Sequence, residues 1–140
     1  MLNNEKKRIL VLCVGNSCRS QIAEGFINAR LSDKYEAFSA GNKPSVVNPK
    51  AIKVMAEAGI DISQNKSKHV DTFKGQEFDI VITVCDDKDG GSCPIFAGKA
   101  AQHLHWPFQD PAAAAGTEEE VMAVFRKVRD EIFTKFSKEL

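Results

Sequence analysis

One stretch of the chain gathers groups that could attack and hold an anion: Cys13-Val14-Gly15-Asn16-Ser17-Cys18-Arg19-Ser20. It has the spacing Cys-x5-Arg-Ser. A loop of this kind can turn successive backbone N–H groups inward and form an anion nest at the start of a helix. Gly15 permits backbone conformations that other residues resist, and Asn16 tolerates left-handed geometry. Arg19 brings a planar fork able to hold two oxygens of a tetrahedral oxyanion. The same positive field favours the Cys13 thiolate, and the Ser17 and Ser20 hydroxyls can donate to it. The arrangement is a nucleophile aimed at an anion, with Val14, Gly15, Asn16, Ser17, Cys18, Arg19 and Ser20 as the binding groups.

The other candidate groups are fewer. The four cysteines are Cys13, Cys18, Cys85 and Cys93. No Cys-x-x-Cys pair or Cys/His knuckle is present, so catalytic or redox use is favoured over structural zinc. Burial as small apolar residues is the other reading of a free cysteine. His69 lies in a polar stretch and reads as a surface residue. His103 and His105 alternate on a predicted strand and face one side, with no third ligand nearby; structural roles are expected, and no metal. Trp106 and Phe108 read as packing residues.

Elements that would position these groups follow from the apolar pattern. Residues 8–13 (RILVLC) form a branched, apolar run that predicts a buried strand. Ile22, Ala23, Phe26 and Ile27 recur at helical spacing over 19–30. A second strand is predicted over 37–40, ended by Gly41. Asn48-Pro49 is an N-cap followed by proline at the first helical position; that helix runs through Ile52, Met55 and Ala56 to Gly59. Residues 79–85 (DIVITVC) predict a third strand, 86–92 (DDKDGGS) a polar loop, and 102–106 a last strand. Thr117 and Glu120 form a capping box before an amphipathic helix carrying Val121, Phe125, Val128, Ile132, Phe136 and Leu140. Alternating strands and helices imply an α/β fold, a parallel sheet covered on both faces. Ligands bind beyond the carboxyl ends of such strands, where Cys13 and Cys85 are both expected.

Composition narrows the classes. The 140 residues suit one domain, 1–140, with 43% apolar and 27% charged residues. The 19 basic and 19 acidic residues cancel, which argues against a module held on nucleic acid by phosphate neutralisation. The longest apolar run, residues 9–14, is far below the ~20 that span a bilayer, so no membrane association is expected. Residues 1–8 are charged and lack the pattern of a secretory signal, so a cytoplasmic location is expected.

Residues 13–26 (CVGNSCRSQIAEGF) resemble the signature of the low-molecular-weight protein tyrosine phosphatase superfamily. More narrowly they resemble the thioredoxin-coupled arsenate reductases built on that fold. The resemblance continues through Ser39-Ala40-Gly41, Gly59-Ile60-Asp61-Ile62-Ser63, residues 81–85 with Cys93-Pro94, and His105-Trp106. It ends with Asp110-Pro111-Ala112 and residues 116–120 (GTEEE). It implies a single-domain three-layer α/β/α sandwich with a four-stranded parallel sheet. It also implies a mechanism. Cys13 attacks arsenate while Arg19 and the loop N–H groups hold the oxyanion, and Asp110 protonates the leaving oxygen. Cys85 then attacks Cys13, releasing arsenite and leaving a Cys13–Cys85 disulfide. Cys93 moves that bond to Cys85–Cys93, which thioredoxin reduces. Cys18 is not needed. No bound cofactor and a monomeric form are expected.

Rival classes remain at this point. A phosphatase of the same fold would need Cys13, Arg19 and Asp110 but neither Cys85 nor Cys93. A non-enzymatic thiol sensor or oxyanion binder would need no acid at Asp110. The segment between Cys85 and Cys93 is one residue longer than is usual for the best-known bacterial reductases and carries Asp86, Asp87, Lys88 and Asp89. Some family members hold potassium beside the loop with Asn, Glu, Ser and Asp. Asn16, Glu24 and Ser39 match the first three, and Lys68 falls where the Asp is expected. The Lys68 ammonium either takes the cation's place or is an ordinary surface charge.

Overall fold

Four consecutive residues of the first strand, Ile9, Leu10, Val11 and Leu12, are completely buried. A strand apolar on both faces belongs in the centre of a covered parallel sheet, and that is where it lies. In the computed structural model, which describes residues 6–86 and 93–140, β1 (Lys7–Leu12) pairs in parallel with β2 (Tyr35–Ala40) and β3 (Glu77–Thr83). β4 (Lys99–His105) pairs in parallel with β3, giving the order β2-β1-β3-β4. The α/β class and the four-stranded parallel sheet are as the sequence predicts.

Three helices build one outer layer. α1 (Arg19–Arg30), α2 (Pro49–Glu57) and α3 (Glu118–Glu139) send Ile22, Phe26, Val54, Phe125 and Phe136 into one core with Ile9 and Ile82 of the sheet. Each such large apolar side chain contributes roughly 1.5–3 kcal/mol on full burial. The opposite layer is thin. Leu10, Leu12 and Val81 are covered by Val70 and Phe73 of the 3-10 turn Val70–Phe73, with Phe78 and Phe96 beside them.

Local chemistry sets the ends of the elements. Asn48 accepts from the Lys50 N–H ahead of Pro49, and Gly59 takes φ +80° just past α2. Thr117 and Glu120 close both bonds of the capping box that starts α3. All four strands begin one to three residues earlier than expected, β1 at Lys7 and β2 at Tyr35 among them. β3 starts at Glu77 and ends at Thr83, so Cys85 stands two residues beyond it. Past Leu12, β1 turns into the loop and leaves β3 without a partner on that side; the Val84 N–H makes the last contact to β1, at the Leu12 carbonyl. β4 begins at Lys99 rather than residue 102, in register with Glu77, and ends at His105. The predicted polar loop 86–92 lies, beyond Asp86, outside the described residues. No helix among those described is long and apolar enough to cross a membrane.

Candidate active site

The loop between β1 and α1 is held from outside by its own carbonyls. Val14 O accepts from Lys43 N–H at 3.0 Å, and Ser17 O from Asn48 N–H at 3.0 Å. Gly15 O accepts from the Ser67 hydroxyl at 2.9 Å and Asn16 O from Gln21 Nε2 at 3.2 Å. Four successive carbonyls are thereby directed at partners outside the loop. In a trans peptide the N–H points opposite to the carbonyl it shares a plane with. The N–H groups of Gly15, Asn16, Ser17 and Cys18 therefore turn the other way, which makes a concavity of the kind that can hold an anion. Asn16 takes φ 48°, the left-handed residue on which this curvature turns. Close approach by the end of β2 completes the frame. A Cβ on Gly41 would lie 2.7 Å from Cys13 O and 2.9 Å from the Val14 carbonyl carbon, so only glycine fits without moving the backbone of Cys13 and Val14.

Cys13 is buried at the start of this loop, with Sγ 2.8 Å from Ser20 Oγ. The Asn16 amide donates to both Ser20 Oγ (2.8 Å) and Ser39 Oγ (2.9 Å). Ser20 thus has its hydrogen available for the sulfur, while Ser39 donates its own to Glu24 Oε1. Arg19 is buried in the first turn of α1, yet its charge has partners: Nη1 donates to Phe108 O at 3.1 Å, and Nη2 lies 3.8 Å from Asp110 Oδ2. Asp110 caps the 3-10 turn Pro111–Ala113 by accepting the Ala112 N–H on Oδ1 at 3.0 Å. That bond leaves Oδ2 towards Arg19. A single guanidinium therefore ties Asp110, nearly one hundred residues on, to the Cys13 loop.

Cys85 and Cys93 are joined as a disulfide with Cα atoms 5.8 Å apart, inside the span such a bond requires. Cys85 is buried in the same apolar cluster as Cys13, and Cys93 packs at its border. Val84 links the two halves of the site: its N–H reaches Leu12 O, and its carbonyl accepts from Phe108 N–H at 3.1 Å. Cys13 and Cys18 are free thiols. Burial pushes the Cys18 thiol up to about 12, opposed by the Ser17 hydroxyl. It is therefore a neutral thiol at pH 7 and unsuited to nucleophilic attack.

Lys68 points at Glu24, with Nζ 3.7 Å from Oε1, and also donates to Lys66 O at 2.9 Å. Burial raises the Glu24 carboxyl above its ordinary range, against the Lys68 charge and the Ser39 hydroxyl. The ammonium reading of Lys68 thus has a partner in the structure, and Glu24, Ser39 and Asn16 form one line to Ser20 and Cys13. The remaining candidates are packing or surface groups. Trp106 and Phe108 lie against Phe136, at 5.0 and 6.3 Å between ring centres. His69 caps the Val70–Phe73 turn, and His103 and His105 are exposed on β4. Gln21, Asn65 and Ser67 escaped the sequence reading. Gln21 carried a signal, a long polar side chain in a helical turn that leads directly into Ile22 and Ala23; Asn65 and Ser67 lie in an ordinary polar segment.

Comparison with known proteins fits this geometry. The family model for low molecular weight phosphotyrosine protein phosphatase matches residues 8–140. The chain belongs to that family. Among its relatives, an arsenate reductase of Halalkalibacterium halodurans is 48% identical over 127 residues, covering 91% of this chain and 90% of its own. An arsenate reductase of Bacillus subtilis is 46% identical over 128 residues, with 91% of each chain covered. A solved arsenate reductase in a phosphate-binding state superposes with a TM-score of 0.77 at 31% identity, covering 94% of this chain and 95% of that one. The low molecular weight protein tyrosine phosphatase of T. tengcongensis gives 0.70 at 26% identity, covering 96% and 100%.

Proposed function

We propose that the chain reduces arsenate to arsenite through three of its cysteines and is returned to its starting state by thioredoxin, detoxifying arsenate in the cytoplasm as a monomer. The Cys13 thiolate attacks arsenic while Arg19 and the loop N–H groups hold the oxyanion, and Asp110 gives its proton to the departing oxygen. Cys85 attacks the Cys13 sulfur. The sulfur–arsenic bond breaks, its electron pair stays on arsenic, and arsenite leaves a Cys13–Cys85 disulfide. Cys93 attacks Cys85, Cys13 departs as thiolate, and Cys85–Cys93 remains for the external dithiol to reduce.

The observation that carries this reading is the Cys85–Cys93 bond beside a nucleophile loop that has its own acid. A hydrolase has no use for that pair, whereas the relay ends on it. Similarity to proteins named arsenate reductase over nine-tenths of the chain supports it further. Purified protein given arsenate, thioredoxin, thioredoxin reductase and NADPH should release arsenite with matching NADPH loss. Glutathione with glutaredoxin should not replace them. No arsenite with either system would overturn the reading, and arsenite with glutathione alone would remove thioredoxin from it.

Hydrolysis of phosphate monoesters is the second reading, favoured by the family and by a loop and acid that suffice for it. What counts against it is the segment after Asp110, where Pro111–Ala113 continues into alanine and offers no aromatic wall for a phenyl ring.

A further inference from the structure

Gln21 is completely buried in the first turn of α1, and the arsenate chemistry proposed above assigns it nothing. Its amide is fully engaged. Nε2 lies 3.2 Å from Asn16 O, 3.1 Å from Asn16 Oδ1 and 3.0 Å from Lys66 O. Oε1 accepts from Asn65 Nδ2 at 3.2 Å. The amide cannot be turned round, because its nitrogen faces three acceptors and its oxygen faces a donor. Asn16 is likewise fixed, since Oδ1 also accepts from Lys68 N–H at 2.8 Å while Nδ2 serves the two serines.

These contacts meet on the strained residue of the loop. Asn16 holds a left-handed backbone without being glycine. Its carbonyl is one of the four that turn the loop inside out, and Gln21 supplies the donor for it. The other three donors come from Lys43, Ser67 and Asn48, all outside α1. Among the described residues, Gln21 is the one side chain that grips both the backbone and the side chain of Asn16, and it joins them to the strap 65–68.

We infer that Gln21 is a positioning residue of the oxyanion loop, locking Asn16 in its left-handed turn and thereby setting the inward N–H groups and the Ser20 contact to Cys13. The inference rests on reading residues 13–20 as an oxyanion site. Only a carboxamide serves here. Met of similar length leaves Asn16 O and Lys66 O without their donor, and Glu sets a carboxylate against three oxygens.

The test compares wild type, Gln21→Met, Gln21→Glu and Asn65→Ala, all kept reduced. Three quantities are measured: inorganic phosphate binding by calorimetry, the rate of Cys13 alkylation by iodoacetamide, and the melting temperature. Gln21→Met should weaken phosphate binding about tenfold and change the alkylation rate several-fold, and Gln21→Glu should do more of both. Asn65 is only half-buried, so Asn65→Ala should fold even where a Gln21 variant does not. It should shift both readouts in the same direction by about threefold, as the bond to Gln21 Oε1 is released together with the longer one, 3.4 Å, to Glu24 Oε2. A role confined to filling space would lower the melting temperature of the Gln21 variants yet leave phosphate affinity and alkylation of Gln21→Met and Asn65→Ala at wild-type values; that result overturns the inference. If wild type fails to bind phosphate, the oxyanion reading falls separately. The alkylation rate still decides whether Gln21 controls the loop.

Discussion

Reducing the Cys85–Cys93 bond should cost the protein a definite share of its stability, and the amount follows from its position in the chain. The two residues are eight apart. Opening so short a loop returns to the unfolded chain an entropy worth about 2.5 kcal/mol at 25 °C in the chain-entropy description. For 140 residues, with an unfolding entropy near 2.1 cal/mol/K per residue, that loss corresponds to a fall in Tm of about 8 °C. The neighbourhood of Cys85 should keep most of its order, because Val84 stays bonded to Leu12 and Phe108 through its backbone. The assay is a pair of calorimetric scans, on air-oxidised protein and on protein held in excess phosphine. Cys93→Ser provides the control: it should melt near the reduced wild type and ignore the reductant. Equal melting of oxidised and reduced wild type within about 1 °C, or a reductant-sensitive shift that survives in Cys93→Ser, would show that this bond does not carry that share of the stability.

Three further outcomes follow from the site. Asp110→Asn keeps the cap on the Pro111–Ala113 turn but removes the transferable proton; pre-steady-state formation of the Cys13 adduct should slow by about 10²–10⁴-fold with phosphate binding largely kept. Gly41→Ala forces a methyl against the Cys13 and Val14 backbone; it should destabilise by about 1–3 kcal/mol in urea melts and depress activity beyond that loss, and a silent variant would contradict the close approach. The third outcome concerns Cys18, whose thiol is held protonated to about 12 against an ordinary 9.0. The folded protein keeps a proton that the unfolded chain releases, so this contribution is complete below pH 9 and declines as pH rises towards 12. Relative to Cys18→Ala, wild type should lose about 1.4 kcal/mol between pH 8 and pH 10; parallel urea-melt profiles for the two would contradict it.

The elements were readable because the chain states its periods plainly. The branched runs of β1 and β3 and the Thr117–Glu120 box needed no tertiary knowledge. Edges were harder to see. β4 is largely exposed, so its first residues, Lys99 to Ala101, carry no apolar pattern and are fixed only by register with Glu77. The candidate loop after β1 was legible from Cys13, Gly15, Asn16 and Arg19, since each residue type has a local reason to be there. Asp110 was reachable only through family resemblance, because a lone Asp-Pro says nothing of a guanidinium ninety-one positions earlier. Gln21, Asn65 and Ser67 stayed hidden for a related reason: their work is to satisfy carbonyls of a distant loop, and no spacing rule encodes a partner's backbone.

The most direct test of the relay is a single turnover without external reductant. Fully reduced wild type is mixed with excess arsenate, quenched in acid with an alkylating agent, and mapped by peptide mass spectrometry. One arsenite per chain, two thiols consumed and a Cys85–Cys93 disulfide are expected, with Cys93→Ser trapping a Cys13–Cys85 bond instead. A bond between Cys13 and Cys18, or arsenite released with all four thiols still alkylated, would contradict the relay.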